Sequence, residues 1–181
     1  IGSTQNISGS INDLRSNDGA YITFRSYAQT SSGSFGYTTA GSSYTSVSAN
    51  RMYGSLFTSP AYSGMTTQSI TFWGRAESGT VNVKGVLVRH SDLTIVAVGN
   101  PVATSTSRNW YTSTFAAPPS ISPNTEYILM IIPDNTERFY YNTGTTNQGH
   151  YDTTNTYSSP TNPTDASHNN YQYSIYCNYQ Y

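Results

Sequence analysis

The stretch TQSITFWGRAESGTVNVKGVLVRH, residues 67–90, decides the fold class. Ile70 and Phe72 alternate with Thr71 and Trp73, the period of two that belongs to a half-buried strand. Glu77, Ser78 and Gly79 read as a turn. The chain then returns with Val81, Val83, Gly85, Leu87 and Arg89 on one side, so Arg89 must reach a strand end or solvent. The same grammar runs outward in both directions. AYITFRSYA (20–28) sets Ala20, Ile22, Phe24 and Ala28 against Tyr21, Thr23, Arg25 and Tyr27, and RMYGSLF, LTIVAV, NWYTSTF and RFYYN are shorter strands. TEYILMII (125–132) is apolar on both faces, as a central strand covered on both sides should be. Residues 143–170, rich in Thr, Asn, Gly and Pro, read as one long loop. No segment shows helical periodicity. About nine or ten short strands with turns between them predict an all-β, two-sheet antiparallel sandwich of jelly-roll type.

Composition narrows the setting. The 181 residues suit one domain, with residues 20–181 as the sandwich. Charged residues are 9 % of the chain, against roughly 25 % in typical soluble proteins. Aromatics at 14 % argue against disorder. A net charge of −1 offers no footprint for nucleic acid or anionic membrane, and YILMII (127–132) is too short to span a bilayer. Cys177 is the only cysteine, which excludes an intrachain disulfide and reads as a small buried hydrophobe. The chain starts at Ile1 and carries a sequon at Asn6-Ile7-Ser8, so an extracellular, glycosylated setting is expected.

Residues 1–19 differ from the rest: polar, Gly/Ser-rich, with isolated Ile1, Ile7, Ile11 and Leu14. Such a tail can remain a tail or add as a strand to a neighbouring subunit, its apolar residues filling pockets. The last segment, YQYSIYCNYQY (171–181), places Tyr171, Tyr173, Ile175, Cys177, Tyr179 and Tyr181 on one face. Amides, a hydroxyl and Tyr176 lie on the other, so these tyrosines read as core. A sugar-stacking platform is expected instead from Trp73, Trp110, Tyr140 and Tyr141, or from loop tyrosines such as Tyr151 and Tyr157.

Catalytic and metal signals are thin. His90, His150 and His168 lack metal spacing and read as solvated loop residues, and RHSD (89–92) reads as a hairpin turn. No cofactor is expected, although Asp13, Asn17, Asp18, Asp152 and Asp165 leave a structural calcium possible. SSGSFGY lacks the Lys and following helix that hold phosphate.

From Met65 onward the order of SITFWGRAESGTVNVKGVLVRHSD, NWYTSTFAAPPSISPNTEYILMIIPD, RFYYNTGTTNQGHYD and YQYSIYCNY resembles a jelly-roll module of secreted and cell-surface bacterial and archaeal proteins. The resemblance implies a surface role and brings no catalytic residues. The tail is loosely similar to that of surface filament subunits, β-sandwiches that pass an N-terminal strand to a neighbour. EYILMIIPD also resembles the Glu-bearing strand of small Tyr- and Ser-rich xylanases, with Glu126 in the catalytic place, but their second Glu motif is absent and Glu137 reads as a strand-end residue. The expectation is thus a non-enzymatic extracellular subunit that forms a homopolymeric filament or sheath. The alternative is a carbohydrate-binding, adhesive module of a larger surface protein.

Overall fold

A computed structural model describes residues 30–164 and 167–181. The donor-strand residues Ile1, Ile7, Ile11 and Leu14, the sequon Asn6, the strand expected over 20–28, and Asp13, Asn17, Asp18 and Asp165 lie outside the described residues. The described chain is all β. In order its strands are β1 (Ser32–Gly36), β2 (Ser43–Val47), β3 (Met52–Thr58), β4 (Thr66–Ala76), β5 (Val81–Arg89), β6 (Thr94–Val98) and β7 (Val102–Thr104). They continue as β8 (Asn109–Thr114), β9 (Glu126–Pro133), β10 (Glu137–Thr143), β11 (Gly149–Asp152), β12 (Ser167–Asn169), β13 (Tyr171–Tyr173) and β14 (Ile175–Gln180).

Two antiparallel sheets pack into a sandwich. The first runs β1-β14-β4-β10-β13, with β2 added to β10 and β8 to β4. The second runs β12-β11-β3-β9-β5-β6, with β7 also on β5. From β3 to β5, and again from β8 to β11, the chain crosses between sheets at each step, as in a jelly roll. The strands the sequence concealed have few apolar residues. Phe35 is the sole buried position of β1 and Val47 that of β2, so neither supplies a period to read. The long loop expected over 143–170 is corrected likewise: β11 pairs with β3 and β12 with β11, held mainly by backbone ladders between polar residues.

Between the sheets, Ile70, Phe72, Val83, Leu87, Leu129, Ile131, Phe139, Tyr173, Ile175 and Cys177 form the main core. Burial pushes the Cys177 thiol pKa up, in keeping with a packing role. Core tyrosines keep a polar tip at the rim: Tyr127 Oη accepts from Ser122 N at 3.0 Å, and Tyr111 Oη donates to Ser107 O at 2.9 Å. Gly85 is required where the sheets touch, because a Cβ there would lie 2.7 Å from Ile70 Cβ.

A second core lies on the outer face of the second sheet. Met52, Val86, Val88, Ile128, Met130 and Ile132 are buried there, with Leu93, Ile95 and Tyr157 packed on them. Tyr157 belongs to the segment after β11, which lies against this face. Its backbone carbonyl accepts from Lys84 Nζ at 2.9 Å, and its backbone N–H donates to Asn50 Oδ1 at 2.8 Å. Within that segment Asn155 closes the turn, its Nδ2 donating to Thr161 O at 2.8 Å and its Oδ1 accepting from Thr161 N at 3.0 Å. Thus β9 is buried on both faces, as TEYILMII anticipated.

Ile131 and Ile132 test this directly, since they face different cores. Each Ile→Ala substitution is expected to cost about 2–5 kcal/mol in urea melts. A loss below about 1 kcal/mol for Ile132→Ala would mean that the outer cluster is not a packed core.

Candidate functional site

The outer face of the first sheet forms a lattice whose rows follow from strand register. Trp73 on β4 is the cross-strand partner of Trp110 on β8, and two residues further along Thr71 pairs with both Thr112 and Tyr176. The next row joins Thr114, Ser69 and Asn178. On β10, Tyr140 shares this face because Arg138, two residues earlier, is the partner of Arg75, two residues after Trp73. Tyr44 on β2 extends the row beside Tyr140.

Three partly exposed rings form the centre. Trp110 lies 5.5 Å from Trp73 and 5.3 Å from Tyr176 between ring centroids, both pairs tilted. Thr71 lies between Trp110 and Tyr176 in the sheet and is only 3 % exposed. Beside the rings runs a hydroxyl and amide network. Thr71 and Thr112 share a hydrogen bond of 2.9 Å, and Asn178 Nδ2 donates to Ser69 Oγ at 2.9 Å and Thr71 Oγ1 at 3.2 Å. On the other side Tyr140 is buried under Tyr44, 5.6 Å away, and receives Arg75 Nε on its hydroxyl at 3.3 Å.

Of the platform residues expected from sequence, Trp73, Trp110 and Tyr140 share this face and Tyr141 does not. Tyr141 stacks on Tyr171 at 3.7 Å and packs on the main core; burial first, then the Tyr171 hydroxyl, pushes its pKa up to about 12. Adjacent strand residues point to opposite faces, so Tyr140 and Tyr141 could not both belong. Tyr151, stacked on Tyr53, and Tyr157, over the second sheet, are elsewhere. The omitted member is Tyr176. Its position on the amide face of YQYSIYCNYQY was the available signal; that it meets Trp110 depends on β14 and β8 flanking β4.

The histidines require a correction. They are not separate solvated loop residues: His150 is buried on β11, its ring 4.6 Å from His168 on β12 and 5.4 Å from His90, which follows β5. Strands β11 and β5 are three spacings apart, about 14 Å on a flat sheet. His90 Nδ1 also bonds Glu126 Oε2 at 2.9 Å. Among the described residues, no group of three or more His, Cys, Asp or Glu is arranged to hold a metal ion. Asp152, one of the calcium candidates, spends its oxygens on the chain itself. Burial raises its pKa, but Thr154 N and Oγ1, each at 2.8 Å, and the Asn155 amide outweigh this and leave it lowered.

The two glutamates considered for hydrolysis stand on different sheets. Glu126 is exposed, whereas Glu137, the strand-end residue at the start of β10, is wholly buried. Its Oε2 accepts from Thr104 Oγ1 at 2.7 Å, and Gly74 leaves room for the other oxygen, which a Cβ there would approach to 2.6 Å. Burial raises its pKa to about 8, against smaller lowering effects from the Thr104 hydrogen bond and Arg75. No protein-family model and no curated protein matches the chain.

Glu137 should be visible in the pH dependence of stability. Its carboxyl stays protonated in the fold while the unfolded chain ionises near 4.5, so stability falls as pH rises from about 4.5 through about 8. The slope is at most about 1.4 kcal/mol per pH unit from this one group. Glu137→Gln is expected to flatten that limb and raise the melting temperature at pH 8. An unchanged slope would show that Glu137 is ionised in the folded protein.

Proposed function

We propose that this is an extracellular glycan-binding module of adhesive type, which binds sugar rings on the outer face of its first sheet. The observation that carries this reading is the Trp73–Trp110–Tyr176 group, aromatic and partly exposed, beside the Thr112, Thr114 and Asn178 rim. A pyranose has an apolar C–H face and a rim of hydroxyls. Ring faces cover the first, and side chains that both donate and accept suit the second. The extended sheet suits a polysaccharide chain better than a small molecule enclosed in a cavity.

Trp73→Ala and Trp110→Ala should each weaken binding to a glycan array hit by more than about tenfold, with the melting temperature little changed. Tyr141→Phe should leave binding unaltered. Equal binding by all three variants would remove the sheet face from consideration.

A second reading, a homopolymeric surface filament or sheath, draws support from the edges. Strands β1, β2, β6, β7, β8, β12 and β13 pair on one side only among the described strands, and none contains Lys, Arg, Asp, Glu or Pro. Edges in soluble proteins are ordinarily guarded by such residues, and bare ones accept an added strand. Residues 1–19 supply the candidate strand. Negative-stain images should show filaments from the full chain and none after deletion of residues 1–19; identical images from both would reject strand exchange.

A further inference from the structure

The aromatic face continues into a row of positive charge. The chain has only 8 Lys and Arg in 181 residues, yet Arg75 on β4 and Arg138 on β10 pair across the sheet, and Arg108, the residue just before β8, continues their row. Arg138 is the cross-strand partner of Arg75. Arg108 precedes Asn109, whose partner is Gly74, and so falls opposite Arg75 on the other side. This row adjoins that of Trp110, Trp73 and Tyr140.

The guanidinium groups converge on two tyrosine rings. Arg75 Nε donates to Tyr140 Oη at 3.3 Å, and the Arg108 guanidinium lies over the Tyr140 ring at 5.0 Å. Arg138 lies over Tyr44 at 4.6 Å. Like charges placed side by side in a sheet repel. Only Glu77 answers them with an ion pair among the described residues, and it is held by Arg138 in a two-pronged bond. The hydrogen bonds of Arg75 go to neutral oxygens, those of Tyr140 and Thr106, and no described acid pairs with Arg108.

We propose that the Arg75–Arg108 pair receives the carboxylates of an acidic polysaccharide, one built from uronic acid units, whose sugar rings lie on Trp73 and Trp110. This rests on the glycan-binding reading and adds the substrate class. A guanidinium matches a carboxylate with two parallel N–H donors. Arg75 is steadied by Tyr140 and Thr106, and Arg108 by the Tyr140 ring, so part of the ordering cost is met before the ligand arrives. A ring face next to fixed cations selects a ligand with alternating apolar and anionic groups. A neutral glucan leaves the cations unanswered, and an acidic peptide leaves the ring faces bare.

The test compares polygalacturonate with its methyl ester, two polymers that differ in charge, and with polyglutamate, which is acidic but has no sugar ring. Titration calorimetry on the full chain should show polygalacturonate binding more than about tenfold tighter than the ester, with affinity falling as salt rises. The double variant Arg75→Gln/Arg108→Gln, checked for an unchanged melting temperature, should bind both forms as weakly as the wild type binds the ester. Trp73→Ala should weaken both forms together. Equal wild-type affinity for acid and ester, with Trp73→Ala still weakening both, would overturn the acidic class and leave the glycan reading standing. Polyglutamate binding as tightly as polygalacturonate would also overturn the proposal, since charge alone would then suffice. Absence of binding to all three polymers, or binding indifferent to Trp73, would overturn the proposal together with the reading on which it rests.

Discussion

A strand buried on both faces imposes a condition on everything around it. In β9, Tyr127, Leu129 and Ile131 point between the sheets, and Ile128, Met130 and Ile132 point outward. The outward set alone would be an apolar strip in water on a protein with little charge to keep it soluble. The chain meets the condition with the segment after β11, anchored by Lys84, Asn50 and internal Asn155 bonds, and with Tyr157 laid on the strip. One consequence is asymmetry. The second sheet has both faces occupied over its centre, whereas Trp73, Trp110 and Tyr176 on the outer face of the first sheet stay partly exposed among the described residues.

The outer face of the first sheet shows how a protein with 9 % charged residues handles its surface. Hydroxyls and amides bond one another along Thr71, Thr112, Asn178 and Ser69, which keeps the polar groups satisfied without charge. Among the described residues, its arginines gather at one end. Against so neutral a background, the guanidinium groups of Arg75 and Arg108, which have no ion pair among the described residues, stand out more than they would on an ordinary charged surface.

Tyrosine serves three purposes here, and position decides which. Tyr173 and Tyr179 are core, Tyr176 is part of an aromatic surface group, and Tyr62 and Tyr181 stack at 3.9 Å while 45 % and 38 % exposed, so Tyr181 lies outside the core that its face of the strand led one to expect. Alternation in YQYSIYCNYQY separates the first kind from the second. It cannot identify what the outward ring meets, because Trp110 lies 66 positions away and two strands over. Glu137 was partly legible: next to a turn it reads as a strand-end residue, which it is, but only the placement of Thr104 and Gly74 around it shows that its carboxyl is buried and its pKa raised.

The sequence by itself determined that this is a two-sheet β-sandwich, that TEYILMII is its central strand, and that Tyr173 and Tyr179 of the terminal run are core. Each of these follows from side-chain period, which is a local property written directly in residue order. Tertiary structure alone decided that Trp73, Trp110 and Tyr176 meet, that three arginines share a row, and that three histidines join along the second sheet. It also decided that a polar segment holds two strands and covers a second core. These depend on which strands become neighbours and in what register, and pairing between distant segments leaves no periodic trace in either partner.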